Sequence, residues 1–176
     1  RGVTELDASA ALGKGKLFYT AGTSGAAEVM GPLGGLVFTG GKLADVAVGS
    51  VGADTFYIAA GADTLTGGAG KDTFIFDTAL NSSTNVDKIT DFNVADDTIQ
   101  LENAIFTKLT KTGTLSADAF YASTSGKAHD ASDRIIYETD TGKLIYDSNG
   151  NAAGGEVLIA TLSKNLGLTN ADFVII

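Results

Sequence analysis

Three consecutive nonapeptides in the middle of the chain share one pattern without a gap, and a short fixed period of that kind leaves few folds open. Residues 49–57 read GSVGADTFY, residues 58–66 IAAGADTLT and residues 67–75 GGAGKDTFI, each of the form x-x-x-G-x-D-T-apolar-x. The matching glycines are Gly52, Gly61 and Gly70. The matching acids are Asp54, Asp63 and Asp72, and the apolar position carries Phe56, Leu65 and Phe74. The pattern decays upstream. Residues 40–48, GGKLADVAV, keep Gly40, Gly41 and Asp45 but carry Leu43 at the glycine position. Residues 31–39, GPLGGLVFT, place Leu36 at the acid position, and residues 22–30, GTSGAAEVM, keep only Gly22, Gly25 and Val29.

The apolar column carries information at twice the period. Phe38, Phe56 and Phe74 are 18 apart, and Val29, Ala47 and Leu65 form the interleaved set. Each nonapeptide supplies a glycine-aspartate turn and a short strand built on threonine and an apolar residue. A coil of two nonapeptides then puts alternate repeats into two facing parallel sheets, with aromatics stacked on one side and small aliphatics opposite. The expected class is all-β: a short parallel β-roll over residues 22–76, continuing into a capping β-sandwich over residues 77–176. Residues 1–21 are expected to form an N-terminal lead-in, a strand or cap of the roll. Brief helical turns are expected near Leu101 to Phe106 and Ser116 to Tyr121.

Composition narrows the function. The 176 residues fit one domain, or one elongated domain with a cap, and a 44% hydrophobic content is too high for an acidic disordered tail. With 12 Lys and Arg against 21 Asp and Glu, the formal net charge is -9, which disfavours nucleic acid and anionic membranes as partners. The acids are 16 Asp and 5 Glu, a bias toward turns and hard cations. The chain has no cysteine, which removes thiol catalysis, zinc-thiolate sites and disulfides, so that outside a cell a metal would have to do the stapling. No run approaches 18 apolar residues, so no transmembrane helix is expected. The opening at Arg1, without Met or a charged-then-apolar leader, suggests a piece of a longer polypeptide.

GGAGKDTFI fits the nonapeptide GGxGxDxUx, and the chain resembles the repeats-in-toxin (RTX) family of calcium-binding parallel β-rolls. The fit is good over residues 40–75 and weak over 22–39. Asp87-Lys-Ile-Thr-Asp-Phe92 followed by Asp96-Asp97-Thr-Ile-Gln-Leu101 is similar to the run after the last nonapeptide in serralysin-type proteases and rhizobial exported proteins. Residues 133–151, DRIIYETDTGKLIYDSNGN, and the ending Ala171 to Ile176 resemble their closing strands and extreme C-terminus.

The resemblance implies Ca2+ held between turns 18 residues apart, one turn giving the carbonyls of its first and third positions plus its Asp, the later one those of its second and fourth positions plus its Asp. The best site then takes Gly49, Val51 and Asp54 with Gly68, Gly70 and Asp72. A second takes Gly40, Lys42 and Asp45 with Ala59, Gly61 and Asp63, where Leu43 and Ala59 depart from the pattern and weaken it. A third takes Ile58, Ala60 and Asp63 with Asn81 and Asp87, Asn81 standing where relatives often carry Asp. Turn capping is the bland alternative for one Gly-Asp pair, and three tandem copies argue against it. Stacked carboxylates also repel unless a cation or protons neutralise them, so folding of residues 40–100 is expected to depend on calcium.

The remaining motifs are weaker. Asp147-Ser-Asn149-Gly-Asn151 has oxygens at alternate positions like half an EF-hand loop, with an Asn-Gly hairpin turn as the favoured reading. No HExxH occurs, and the single histidine, His129, reads as a solvated loop residue. Gly22-Thr-Ser24-Gly25 lacks the spacing of a nucleophile elbow, Gly70-Lys71 lacks the rest of a phosphate loop, and Asp96-Asp97 reads as a solvated turn rather than a glycosidase pair. No catalysis is therefore expected. The resemblance implies a calcium-binding C-terminal module of a larger secreted protein of a Gram-negative bacterium. Its partners would be the absent N-terminal domain and the type I secretion machinery, the latter reading Asp172-Phe-Val-Ile-Ile176. The alternatives are an extracellular adhesion module binding surface polysaccharide and, behind it, a part of a secreted hydrolase.

Overall fold

The computed structural model describes residues 4–10 and 13–176, so parts of the 1–21 lead-in, residues 1–3 and 11–12, lie outside the described residues. Ten short strands come first: β1 (Thr4–Asp7), β2 (Leu17–Thr20), β3 (Ala27–Met30), β4 (Leu36–Thr39), β5 (Val46–Ser50), β6 (Thr55–Ile58), β7 (Thr64–Gly68), β8 (Thr73–Phe76), β9 (Asp87–Ile89) and β10 (Thr98–Leu101). Odd-numbered strands pair in parallel in one sheet and even-numbered strands in the other, so the chain alternates between two sheets. This is the parallel β-roll that the nine-residue period demands.

The core follows from the register. Tyr19, Phe38, Phe56, Phe74 and Ile99 are successive partners across β2, β4, β6, β8 and β10. Val29, Ala47, Leu65 and Ile89 do the same across β3, β5, β7 and β9. Phe56 and Phe74 stack with centroids 5.0 Å apart and rings 6° from parallel. Facing them, the small side chains of Val29 and Ala47 leave room for the rings, and all of these residues except Tyr19 are fully or almost fully buried. Each buried ring contributes about 1.5–3 kcal/mol, and this apolar column joins the coils.

After β10 the same two sheets are extended by different chain paths. The later strands are β11 (Gly113–Thr114), β12 (Phe120–Ser123), β13 (Ile135–Glu138), β14 (Lys143–Asp147), β15 (Glu156–Thr161) and β16 (Phe173–Ile175). β15 lies parallel to β9, and β14 and β13 continue that sheet antiparallel, with β12 at its edge. β16 lies parallel to β10, so that Phe173 joins the Phe74–Ile99 column, and β11 closes that side antiparallel. The sheets run on without a break where the repeats stop. A 3-10 turn covers Ala117–Ala119, and Glu102 O accepts from the amides of Ile105 and Phe106 in a second turn. Asp147–Asn151 lies in the β14–β15 hairpin connection, where Asp147 Oδ1 accepts from the amides of Asn149 and Gly150. Among the described residues no helix is long and apolar enough to cross a membrane.

Candidate metal centre

The turns between strands line up along the two edges of the roll, and each edge carries a column of aspartates. On one edge the amide of Asp45 donates to Asp63 Oδ1 (2.8 Å), and the amide of Asp63 donates to Asp87 Oδ1 (2.9 Å). On the other, the amide of Asp54 donates to Asp72 Oδ1 (2.9 Å), and that of Asp72 to Asp97 Oδ1 (3.0 Å). All six side chains are buried. The columns end on main chain: Asp45 Oδ1 accepts the Ala27 amide at 2.6 Å, and Asp54 Oδ1 accepts the Leu36 amide. Each carboxylate therefore fixes the entry to the strand one coil earlier, which is why the acid recurs at one position of the repeat.

The second oxygens set the two middle aspartates apart from Asp45, Asp54 and Asp97. Asp45, Asp54 and Asp97 each use Oδ2 to accept an amide four residues back, from Gly41, Ser50 and Asn93, all at 2.8 Å. Asp63 and Asp72 do not, and their Oδ2 atoms are the buried side-chain atoms left without a partner among the described residues. At Asp72 the reason is visible: the Gly67 and Gly68 amides donate instead to Asp91, both at 2.8 Å. A buried carboxylate oxygen with no donor costs stability of order 1–3 kcal/mol unless something else meets it. Burial pushes the carboxyls of Asp63 and Asp72 up to about 6 and that of Asp87 to about 7, with neighbouring carboxylates adding to the effect. Asp54 and Asp97 are also raised, again chiefly by burial.

The surrounding backbone is crowded with oxygen and held open by glycine. A Cβ on Gly67 would strike Asp72 Oδ2, and one on Gly49 would strike both Asp54 Oδ2 and the Gly67 carbonyl. Gly70 and Gly61, at matching repeat positions, both have φ of 133°, and a Cβ there would meet the carbonyls of Gly52 at 2.6 Å and Leu43 at 2.7 Å. Orphaned carboxylate oxygens in a cradle of carbonyls, with no histidine or cysteine in the turns, suit a hard cation such as calcium. The residues present fit that ion.

The structure brings most of the sequence-derived ligands to these edges. Gly49, Asp54, Gly68, Gly70 and Asp72 meet across the turns before β6 and β8, with Gly68 packed on the Ser50 carbonyl. Val51 lies in the same bend, its side chain exposed. Gly40 lies against Ala59 and Asp63 Oδ2, Gly61 against the Leu43 carbonyl, and Lys42 is exposed beside Asp45 in sequence. Ile58 is core, and its carbonyl and that of Ala59 accept from Thr78 Oγ1, while Ala60 is exposed. Asp87 stands in the column. Asn81 does not: it is exposed, and its Oδ1 accepts from the amides of Ser83 and Thr84 in its own loop. The residue against the Gly61 turn is Asn85, whose Oδ1 accepts the Gly61 amide at 3.1 Å.

Sequence reasoning also missed Asp91 and Asp97 as members of this network. The solvated turn expected at Asp96-Asp97 describes Asp96, which is exposed, and not Asp97, which is buried and accepts two amides. The available signal was the similar spacing of Asp63 to Asp87 and Asp72 to Asp97. His129 is half-exposed, stacked on Tyr121 at 4.3 Å, with Nδ1 2.7 Å from buried Asp133.

Residues 23–175 match the family model described as peptidase M10 serralysin C terminal. That model covers the repeat region of a protease family and not its catalytic domain. Among curated proteins no significant match was found. With the parallel roll, the aspartate columns and a family match over most of its length, the chain belongs to the serralysin C-terminal family, whose repeats are of the RTX type.

Proposed function

We propose that this chain is a calcium-dependent folding module of a secreted protein. The observation that carries the reading is the pair of orphaned carboxylate oxygens, Asp63 Oδ2 and Asp72 Oδ2, one in the middle of each column. A divalent cation supplies positive charge there, meeting the unpartnered oxygens and cancelling repulsion between stacked acids. Asp45, Asp54, Asp63, Asp72 and Asp87 would hold it, with the carbonyls of the turns around Gly40, Gly49, Gly61 and Gly70. Because such an ion binds the folded chain and not the unfolded one, it stabilises the fold by mass action.

The test is thermal unfolding of metal-stripped protein with calcium, with magnesium and without either. Calcium at a hundredfold excess over Kd should raise the midpoint by about 5–10 °C per site, and magnesium by much less. Asp63→Asn and Asp72→Asn should each remove a large part of that rise. An identical midpoint with and without calcium would sink the reading.

Serralysin-type proteins are secreted, which supports an extracellular setting where calcium is abundant. The larger parent and the type I machinery acting on Asp172–Ile176 belong to the same reading. In the folded chain Asp172, Phe173 and Ile175 are buried, so a transporter would have to meet this segment before it folds.

A further inference from the structure

Away from the aspartate columns, the far end of the molecule holds a cavity of about 330 Å³ between the 108–111 segment, β11, the 117–119 turn and the start of β13. Lys108, Lys111 and Arg134 line it. None of the three makes an ion pair among the described residues, whose salt bridges use Lys127, His129 and Lys143 instead. In a chain of formal charge -9, three of twelve cations thus converge on one concavity whose lining holds a single carboxylate, Asp118.

The walls are held in place by main-chain anchors. The Lys108 amide donates to the Tyr146 hydroxyl (3.0 Å), and that ring packs edge-on against Phe106. Leu115 is pinned from both sides, its amide donating to Phe173 O and its carbonyl accepting from Asn170 Nδ2. Arg134 Nη1 donates to the Asp133 carbonyl (2.6 Å), which orients the guanidinium and leaves its other N–H groups for a planar anion. The lining also has a neutral polar set in Ser116 and Ser132, one carboxylate acceptor in Asp118, and an apolar floor at Leu115 and Ile175.

That mixture selects a ligand with one anionic group, several hydroxyls and an apolar ring face. A bare inorganic anion would leave the floor and Asp118 unused, and a neutral sugar would leave the cations unmatched. We propose that the Lys108–Lys111–Arg134 cavity binds a uronate unit of an acidic saccharide, with the carboxylate on the cations and the hydroxyls on Ser116, Ser132 and Asp118. The volume accommodates one or two pyranose units, within the usual range of ligand pockets.

The full chain, loaded with calcium, is titrated with digalacturonate while backbone amide shifts are followed by NMR, with a neutral galactose disaccharide and inorganic phosphate as parallel probes. The expected result is saturable binding with Kd of about 1 mM or tighter, with shifts confined to residues 108–119, 132–134 and 173–176. Lys108→Gln/Lys111→Gln, both on an exposed segment, and Arg134→Gln should each weaken it about tenfold or more without moving the thermal midpoint in calcium. If Arg134→Gln does not fold, the double lysine variant carries the test. The proposal is overturned by no binding, by shifts at the repeat turns instead, by equal affinity for the neutral disaccharide, or by phosphate binding as tightly as digalacturonate.

Discussion

At Gly70 two independent constraints meet: φ of 133°, which a side chain rarely adopts, and the Gly52 carbonyl 2.6 Å from where a Cβ would stand. Gly70→Ala should therefore cost about 1–3 kcal/mol, read as a lower thermal midpoint in saturating calcium. Gly167→Ala has open space and no left-handed φ, and should shift stability by no more than about 0.5 kcal/mol. If the two variants melt alike, the crowding of the turn is not what fixes glycine there. At this scale the repeat made Asp45, Asp54, Asp63 and Asp72 legible, because one turn geometry recurs at one interval. Asp91, Asp97 and Asn85 lie past the point where the coil lengthens. Asp72 pairs with Asp97, and Asp63 with Asp87, across longer spacings than the 18 residues between earlier rungs. A search at the fixed period of 18 misses them; Asp97 has only the similar spacing of the Asp63–Asp87 and Asp72–Asp97 pairs to mark it, and Asp91 and Asn85 are identified by the amides they accept.

Among the elements, the paired strands of the repeats followed from the apolar position that recurs in each nonapeptide and matches its partner 18 residues on. β1 and β2 did not, since Leu6 pairs with Val29 and Leu17 with Leu36 at spacings that match no repeat. β16 has a double identity. It lies in the segment proposed above to be read by the secretion machinery, and it is an inner strand between β10 and β11, its start fixed by a capping box in which Thr169 and Asp172 satisfy each other's backbone. Removing residues 172–176 should expose the β10 edge and lower the calcium-bound midpoint. In a type I-secreting host the same truncation should abolish export of a passenger fused ahead of residue 1. Asp63→Asn/Asp72→Asn, which spares β16, should leave export intact. Export of the truncated fusion at the full-length level would remove the C-terminal segment from the secretion reading.

For the whole molecule the carboxyls raised by burial set a pH dependence with a definite sign. Asp63 and Asp72 at about 6 and Asp87 at about 7 all lie above the ordinary 3.8, so between those limits the metal-free folded chain holds more protons than the unfolded one. The stability these three groups contribute should then be fully present below about pH 4 and be lost progressively as pH rises to about 7. Calcium competes with those protons, so its affinity should climb over the same interval and the loaded protein should lose that decline. Melting curves at pH 5 and 7.5 check both statements, and a metal-free midpoint higher at pH 7.5 would contradict the buried-column account. The roll was legible as a whole because its period is a property of the entire repeat tract. The cavity was not, because Lys108 and Arg134 are brought together only by the return of the chain through β13. The ladder of one amide to one carboxylate per coil also has a mechanical meaning. The strands lie across the long axis, so a pull on the N-terminus loads one coil at a time, and the molecule should unravel in small steps of about 60 Å, the extended length of 18 residues. Calcium would then act as a row of separate catches, each released at its own force.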